Sequence, residues 1–306
     1  MGRMSASSSP GQRRRALGAW AAVCVIWGTT YLGIKLALTT IPPFLIGGLR
    51  YTAAGAVLAL ARRASGEPLP SRHTLPGFAL LGLLMFGLGN GGVVWAETWV
   101  SSGLAAVIIA TSPFWMVGVE AVVPGGERMN RVQVAGLVLG FTGILLLVGP
   151  AVLEGGVSGS RMLAGVAALQ VACAGWAAGS SYGKRHAPRT SPMMSAGVQM
   201  LAGGAIMLAA GTALGDWARL RFDRTSLGAL AYLTVAGSLA AFAAYVYALA
   251  HLPVLIVSLY AYINPIIAVA LGTLLLGEPL DRRMAIGIGV ILAGLAVVSA
   301  GRRPRG

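Results

Sequence analysis

The sequence predicts an all-α polytopic membrane protein, with ten transmembrane helices arranged as two inverted five-helix repeats. Three observations predict it. Charged residues are 10% and hydrophobic ones 56% of the 306. Apolar runs long enough to cross a bilayer recur along the chain, and its two halves match each other residue for residue at several positions.

A water-soluble protein carries roughly a quarter of its residues charged. With mean hydropathy +0.77, this chain has more apolar surface than a single aqueous core can enclose, so lipid is its main solvent. The 44 glycines agree, since glycine is enriched in membrane helices. A net charge of +14 raises nucleic acid as a partner. Its placement excludes that reading, because the arginines sit in short clusters between apolar runs, as topology signals do. Cys24 and Cys173 both lie inside apolar segments, which excludes a disulfide framework, and no metal-ligand spacing is present. Arg13-Arg14-Arg15 precede the first apolar run as in a signal peptide, but no small-residue cleavage site closes that run, so it reads as a retained helix.

A crossing helix needs about 20 mostly apolar residues. Suitable runs lie at 16–38, 43–61, 74–96, 102–121, 131–149, 160–182, 190–212, 226–249, 253–275 and 284–301. Residues 1–15 form a basic tail. With the N-terminus inside, cytoplasmic segments hold fifteen Lys and Arg: Arg3, Arg13, Arg14, Arg15, Arg62, Arg63, Arg72, Arg128, Arg131, Lys184, Arg185, Arg189, Arg302, Arg303 and Arg305. External segments hold six: Arg161, Arg219, Arg221, Arg224, Arg282 and Arg283. That bias places both termini in the cytoplasm of a bacterial-type inner membrane.

At an offset of 149, Cys24, Trp27 and Lys35 fall on Cys173, Trp176 and Lys184, and Gly48, Arg50 and Gly55 fall on Gly197, Gln199 and Gly204. Ser112-Pro113 aligns with Asn264-Pro265, and at an offset of 151 Glu127, Gly136 and Gly143 align with Glu278, Gly287 and Gly294. An odd number of spans per repeat makes the second half enter the membrane from the opposite side. Two inverted halves provide two arrangements of similar energy, as alternating access requires.

Two tandem units, each running from a W-x7-K first helix to a [S/N]-P fourth helix and a glutamate-led, glycine-rich fifth, resemble the EamA domains of the drug/metabolite transporter superfamily. The units occupy 16–150 and 160–301, nearly the whole chain. The resemblance implies a ten-helix carrier, often an exporter of amino acids or related metabolites, with a drug exporter of the same fold as the alternative.

Arg50 lies about 10 Å into the second span at 1.5 Å per residue. A guanidinium there costs about 2.5–3.5 kcal/mol on the insertion scale, so it is expected to face a wet cavity or a partner. It can grip a substrate carboxylate through two parallel hydrogen bonds, or simply tie helices through backbone carbonyls. Its mate Gln199 keeps hydrogen bonding without charge. Pro113 and Pro265 interrupt the fourth and ninth spans and free the carbonyls of Ile109 and Ala261. Breaks at matching positions of two repeats point to a midplane site, beside which Thr111, Ser112 and Asn264 offer directional hydrogen bonds. A packing kink is the plainer reading. Trp27, Trp95, Trp115, Trp176, Tyr245, Tyr247, Tyr260 and Tyr262 lie deep in spans and are candidates to line a cavity or to pack helices. Trp20, Trp99 and Trp217 read as interfacial belt residues. Lys35, Glu97 and Lys184, near span ends, are gate candidates or snorkelling anchors. Gly136-x3-Gly140 permits close helix packing, either in a homodimer or within the chain.

No span has an acidic residue near its centre, and Glu97 and Glu120 lie near ends. This argues against a buried proton relay and for a neutral, zwitterionic or anionic small-molecule substrate. No phosphate-cradling Gly-Lys-Ser/Thr loop occurs and no cofactor is expected. The three histidines, His73, His186 and His251, are scattered without acidic neighbours, which argues against a membrane-embedded enzyme. A channel is disfavoured because open pores use rings of identical subunits.

Overall fold

The computed structural model describes residues 10–125, 129–153, 156–186, 190–252, 256–257 and 259–301. Glu127, Arg3, Arg128, Arg189, Arg302, Arg303, Arg305 and the start of the expected ninth span lie outside these residues.

Every regular element among the described residues is helical. In chain order the principal helices are α1 (Pro10–Ala37), α2 (Pro43–Ala64), α3 (Arg72–Ala96), α4 (Ser102–Val122), α5 (Arg131–Leu153), α6 (Gly156–His186), α7 (Pro192–Ala213), α8 (Arg224–His251), α9 (Tyr260–Leu276) and α10 (Arg282–Ala300). Eight of these contain a stretch long and apolar enough to cross a bilayer; α9 and the described apolar stretch of α5, Arg131–Leu147, are shorter. Large side chains such as Val57, Leu60, Val122, Leu145, Val235 and Leu274 are exposed along the helices, as lipid-facing residues are. Hydropathy underestimates α1, because exposed Arg13, Arg14 and Arg15 continue the helix beyond its apolar part.

The most extensive packing is α2 on α7 and α5 on α10. Further pairs are α1 with α8 and α9, α6 with α3 and α4, α2 with α8, α7 with α3, and α4 with α9. Exchanging α1 for α6, α2 for α7, α3 for α8, α4 for α9 and α5 for α10 turns these pairs into one another; α2 with α3, α5 with α6 and α1 with α4 also pack, without a counterpart of similar extent among the described residues.

The reason lies in the paired glycines. A Cβ on Gly55 would stand 2.6 Å from the Gly197 carbonyl oxygen, and one on Gly204 would stand 2.6 Å from the Thr52 amide nitrogen and 3.1 Å from the Gly48 oxygen. A Cβ on Gly143 would lie 3.0 Å from the Gly287 oxygen, and one on Gly294 would lie 2.7 Å from the Gly136 oxygen. Each contact therefore recurs between the matching residues of the other half. Small residues let membrane helices approach at backbone distance, where dispersion and weak polar contacts substitute for the hydrophobic effect that lipid does not supply. The Gly136-x3-Gly140 face is occupied inside the chain: Gly136 meets Val298 and Gly294, and Gly140 meets Phe114.

Polar ties hold one end of the bundle. Glu67, past the end of α2, accepts from the Ser191 amide (2.8 Å) and hydroxyl (2.7 Å) and from Arg62 Nε (2.9 Å). It thus caps the start of α7, and the Ser191 amide above all holds its carboxyl below the usual carboxylate range. Near the C-terminal end of α4, Glu120 receives Arg185 of α6 through two bonds of 3.0 and 2.8 Å.

Two measurements follow. Gly294→Ala forces a Cβ to 2.5 Å from the Gly140 backbone nitrogen, whereas Gly289→Ala meets nothing within 4 Å. Thermal unfolding in detergent is expected to show Gly294→Ala destabilised by about 1–3 kcal/mol, the usual scale of overpacking, and Gly289→Ala unchanged. A depressed carboxyl stabilises at neutral pH and loses its effect as pH falls through its folded value. The stability gap between the unmodified chain and Glu67→Gln should therefore be largest near neutrality and close on acidification.

Candidate functional site

The helices α1, α2, α8 and α9 bring the sequence candidates of one cluster together. Trp27 on α1 forms an aromatic triangle with Tyr245 of α8 and Tyr260 of α9, at ring-centroid separations of 5.2 and 5.1 Å, with the tyrosines 6.0 Å apart. All three rings are half-buried. Trp27 donates its indole N–H to the Gly237 carbonyl at 3.1 Å. Arg50 on α2 is 5% exposed and donates from Nε to the Ser238 hydroxyl at 2.7 Å. Its guanidinium carbon lies 4.7 Å from the Tyr51 ring centroid, a cation–π distance. One of its terminal nitrogens is 3.0 Å from where a Gly237 Cβ would stand, so a side chain there would press the guanidinium and Thr30 aside by a few tenths of an ångström.

Gly237 and Ser238 belong to a stretch of α8, Leu233–Ala240, that is wound as a π-helix; Gly82–Asn90 of α3 is wound the same way. Such widening leaves carbonyls free for other donors and recurs at functional sites. Each stretch has a polar side chain reaching back five residues: Ser238 donates to the Leu233 carbonyl (3.2 Å) and Asn90 to the Met85 carbonyl (3.0 Å). Ser238, which seats Arg50, was not among the sequence candidates. Its signal is the Gly-Ser pair inside a span, a known cause of helix distortion.

The helix breaks differ between halves. In α4 the break at Ala110–Thr111 directly precedes a second helical piece with Pro113 in its first turn, where the missing N–H is harmless. In α9 Pro265 lies inside the helix, after its first turn. The neighbours nevertheless correspond. Asn264, 8% exposed, donates its amide to the carbonyls of Cys24 (3.0 Å) and Tyr260 (3.1 Å) when oriented as those acceptors require. Its mate Ser112 donates to the Ile109 carbonyl (2.6 Å), the one Pro113 frees, and to Cys173 Sγ (3.3 Å). Both cysteines are buried. Around Cys173 the second cluster is polar: Trp115 donates to Gln170 (2.7 Å), whose amide reaches Thr111 Oγ1 at 3.5 Å.

Other candidates stand apart. Trp176 packs beside Gly89 and, among the described residues, has no aromatic partners like those of its mate Trp27. Gln199 donates to Ser195 of its own helix (2.7 Å), and Trp95 meets Trp99 edge to face at a centroid distance of 4.4 Å. Lys184 is exposed, and the tie to Glu120 is made by Arg185, one position round the same helix. The Lys35 ammonium meets Glu97 at its backbone carbonyl (2.6 Å) and also takes the Val100 carbonyl (2.9 Å). The Glu97 carboxylate is wholly enclosed. A position near a span end is therefore as closed to water as a midplane one.

The cluster brings together apolar aromatic faces, a buried cation, and amide and hydroxyl groups between helices. Comparison with known proteins supplies the family. Residues 15–149 and 163–300 each match the EamA-like transporter family. An uncharacterized inner membrane transporter of Escherichia coli K12, YedA, is 33% identical over 288 residues, spanning 93% of this chain and 90% of that one. A probable amino-acid metabolite efflux pump of Salmonella typhimurium is 26% identical, across 92% of this chain and 94% of the other. A solved crystal structure shares the fold at a TM-score of 0.63, with 22% identity over 94% of this chain and 98% of that one. The family is one of membrane transporters, not enzymes. With both halves matched and a one-third-identical relative along almost its full length, this chain belongs to the EamA-like transporter family.

Proposed function

We propose that this transporter is a secondary carrier that moves amino acids or closely related metabolites by alternating access, most simply outward. Its ten helices act as ten spans in two inverted repeats, 16–150 and 160–301, with both termini cytoplasmic. The reading is supported by helix pairs that exchange between halves and by the corresponding Cys24–Asn264 and Cys173–Ser112 contacts. Symmetry of this kind lets a rocking of one half against the other open each side in turn.

One observation carries the substrate class: the convergence of Arg50 and the Trp27–Tyr245–Tyr260 triangle on Gly237. Arg50 uses Nε on Ser238, and no hydrogen bond ties its two terminal nitrogens to the described residues. Those two groups form the fork that matches a carboxylate. The aromatic faces alongside accept an apolar side chain or a substrate ammonium. A zwitterion with an apolar side group satisfies all of these features, and the efflux of amino-acid metabolites ascribed to the Salmonella relative points the same way. Lys35 and the Glu120–Arg185 pair, at opposite ends, act as closures of the two sides.

Reconstituted in liposomes, the protein is expected to show saturable flux of labelled neutral amino acids, accelerated by the same solute on the other side. Non-saturating flux would mean a channel, and no flux across a broad amino-acid panel would end the reading. A charge-assisted bond contributes about 1.5–3 kcal/mol, so Arg50→Gln should raise the half-saturating concentration of carboxylate-bearing solutes about ten- to a hundredfold while leaving their amides little changed. Equal loss for both would make Arg50 a structural tie. Ser238→Ala should have the same selectivity in weaker form.

A further inference from the structure

Glu97 follows the last residue of α3, and its surroundings give it a role the substrate site does not need. The residue is 0% exposed, and neither carboxylate oxygen has a hydrogen-bond partner among the described residues. It sits beside an apolar cluster that includes Ala96, Val100, Leu104 and Tyr31. The nearest cation does not neutralise it: Lys35 spends its donors on the backbone carbonyls of Glu97 and Val100. The carboxylate of Glu278 lies close by and is held in place by the Ser102 and Gly103 amides at the start of α4, at 2.7 and 3.0 Å. Gly277, in the left-handed conformation at φ 65°, turns the chain after α9 so that Glu278 reaches that helix end.

The titratable and charged groups facing Glu97 are thus Lys35 and Tyr31 from α1 and Glu278 from the segment between α9 and α10. Arg161 on the neighbouring α6 is exposed. Lys35 favours the ionised form. Enclosure without a hydrogen bond and the fixed negative charge of Glu278 oppose it. Taking an unpaired carboxylate out of water costs several kcal/mol, whereas the neutral acid avoids most of that cost.

We propose that Glu97 is a proton-binding site at the outer end of the transport path, carrying a proton in the arrangement described here and releasing it to external water when that end opens. The step is a simple heterolysis: the carboxyl O–H bond breaks, the proton passes to water, and the carboxylate left behind takes the Lys35 ammonium as its ion partner. Nothing is oxidised or reduced. Where an acidic residue at a span centre would mark a proton relay in the sequence, the relay here lies at a span end that the fold seals. Proton binding at Glu97 stands on the geometry alone; its release on opening rests on the carrier reading.

Infrared difference spectroscopy of the purified, lipid-reconstituted protein tests the two parts without any transported solute. At neutral pH the spectrum should contain the carbonyl stretch of a protonated carboxyl group that disappears in Glu97→Gln and persists in Glu67→Gln. Absence of the band, or its survival in Glu97→Gln, would overturn the assignment. Thermal unfolding gives an independent reading. A group protonated only when folded stabilises at low pH and loses that effect as pH rises through its folded value, so the unmodified chain should lose stability relative to Glu97→Gln as pH rises. If Glu97 were instead an ionised partner of Lys35, Glu97→Gln would be the less stable at every pH above the usual carboxylate range. For release, the band should shift in heavy water as the proton exchanges, and linking Thr98→Cys to Leu280→Cys with a bifunctional thiol reagent should slow that shift at least tenfold. An unchanged exchange rate would refute release through the outer end. A protein that moves no amino acid yet shows the band would lose the carrier reading and keep the site.

Discussion

Everything else in this molecule depends on two crossings at which helices touch backbone to backbone: α2 on α7 through Gly48, Gly55, Gly197 and Gly204, and α5 on α10 through Gly136, Gly143, Gly287 and Gly294. In lipid, apolar side chains gain little by leaving solvent for one another, so close approach and dispersion decide which helices pair. A Cβ on Gly55, Gly204, Gly136 or Gly294 would stand 2.5–2.7 Å from main-chain atoms, which cannot yield as the end of a flexible side chain can. Because each contact repeats between the matching residues of the other half, these four helices give two rigid seams around which the others arrange themselves as exchanged partners.

On that frame the functional groups occupy the places where helical regularity fails. The π-wound turns of α8 free a carbonyl for Trp27 and turn Ser238 toward Arg50; the break in α4 frees the Ile109 carbonyl for Ser112. Exposed backbone in a bilayer is tolerated only where protein or a wet cavity satisfies it, so these departures mark the interior surface the halves share. The halves have since diverged in chemistry. Around Trp27 the partners are tyrosines and a guanidinium, while around Trp176 and Cys173 they are glycine, hydroxyls and Gln170. One cluster carries a buried charge, and the other offers hydrogen bonds without charge.

Much of this was legible in the residues. Apolar run lengths located the helices, and the residues matched between halves include those of the Cys24–Asn264 and Cys173–Ser112 contacts, though the matches themselves do not predict which helices touch. Arg50 stood out because charge inside a span is expensive. Ser238 did not, since a serine in a glycine-rich span looks like any small packing residue until the π-turn aims it. Lys184 and Arg185 differ by one position, and only the rotation of α6 decides that Arg185 reaches Glu120. Glu97 is legible as a gate candidate near a span end, but its enclosure is not: three-dimensional packing of α1, α4 and the segment after α9 closes over it.

The central claim is that the two halves move against each other so that one end closes as the other opens. Spin labels at exposed sites in opposite halves measure it directly: Thr98→Cys with Leu280→Cys at the outer end, Ala64→Cys with His186→Cys at the inner end, the native cysteines being buried. Pulsed electron resonance in nanodiscs should give two distance populations for each pair. When pH or a transported amino acid shifts the outer pair toward its longer distance, the inner pair should shift toward its shorter one. A single, condition-independent distance at both ends, or both ends widening together, would contradict alternating access and leave this fold without a carrier's motion.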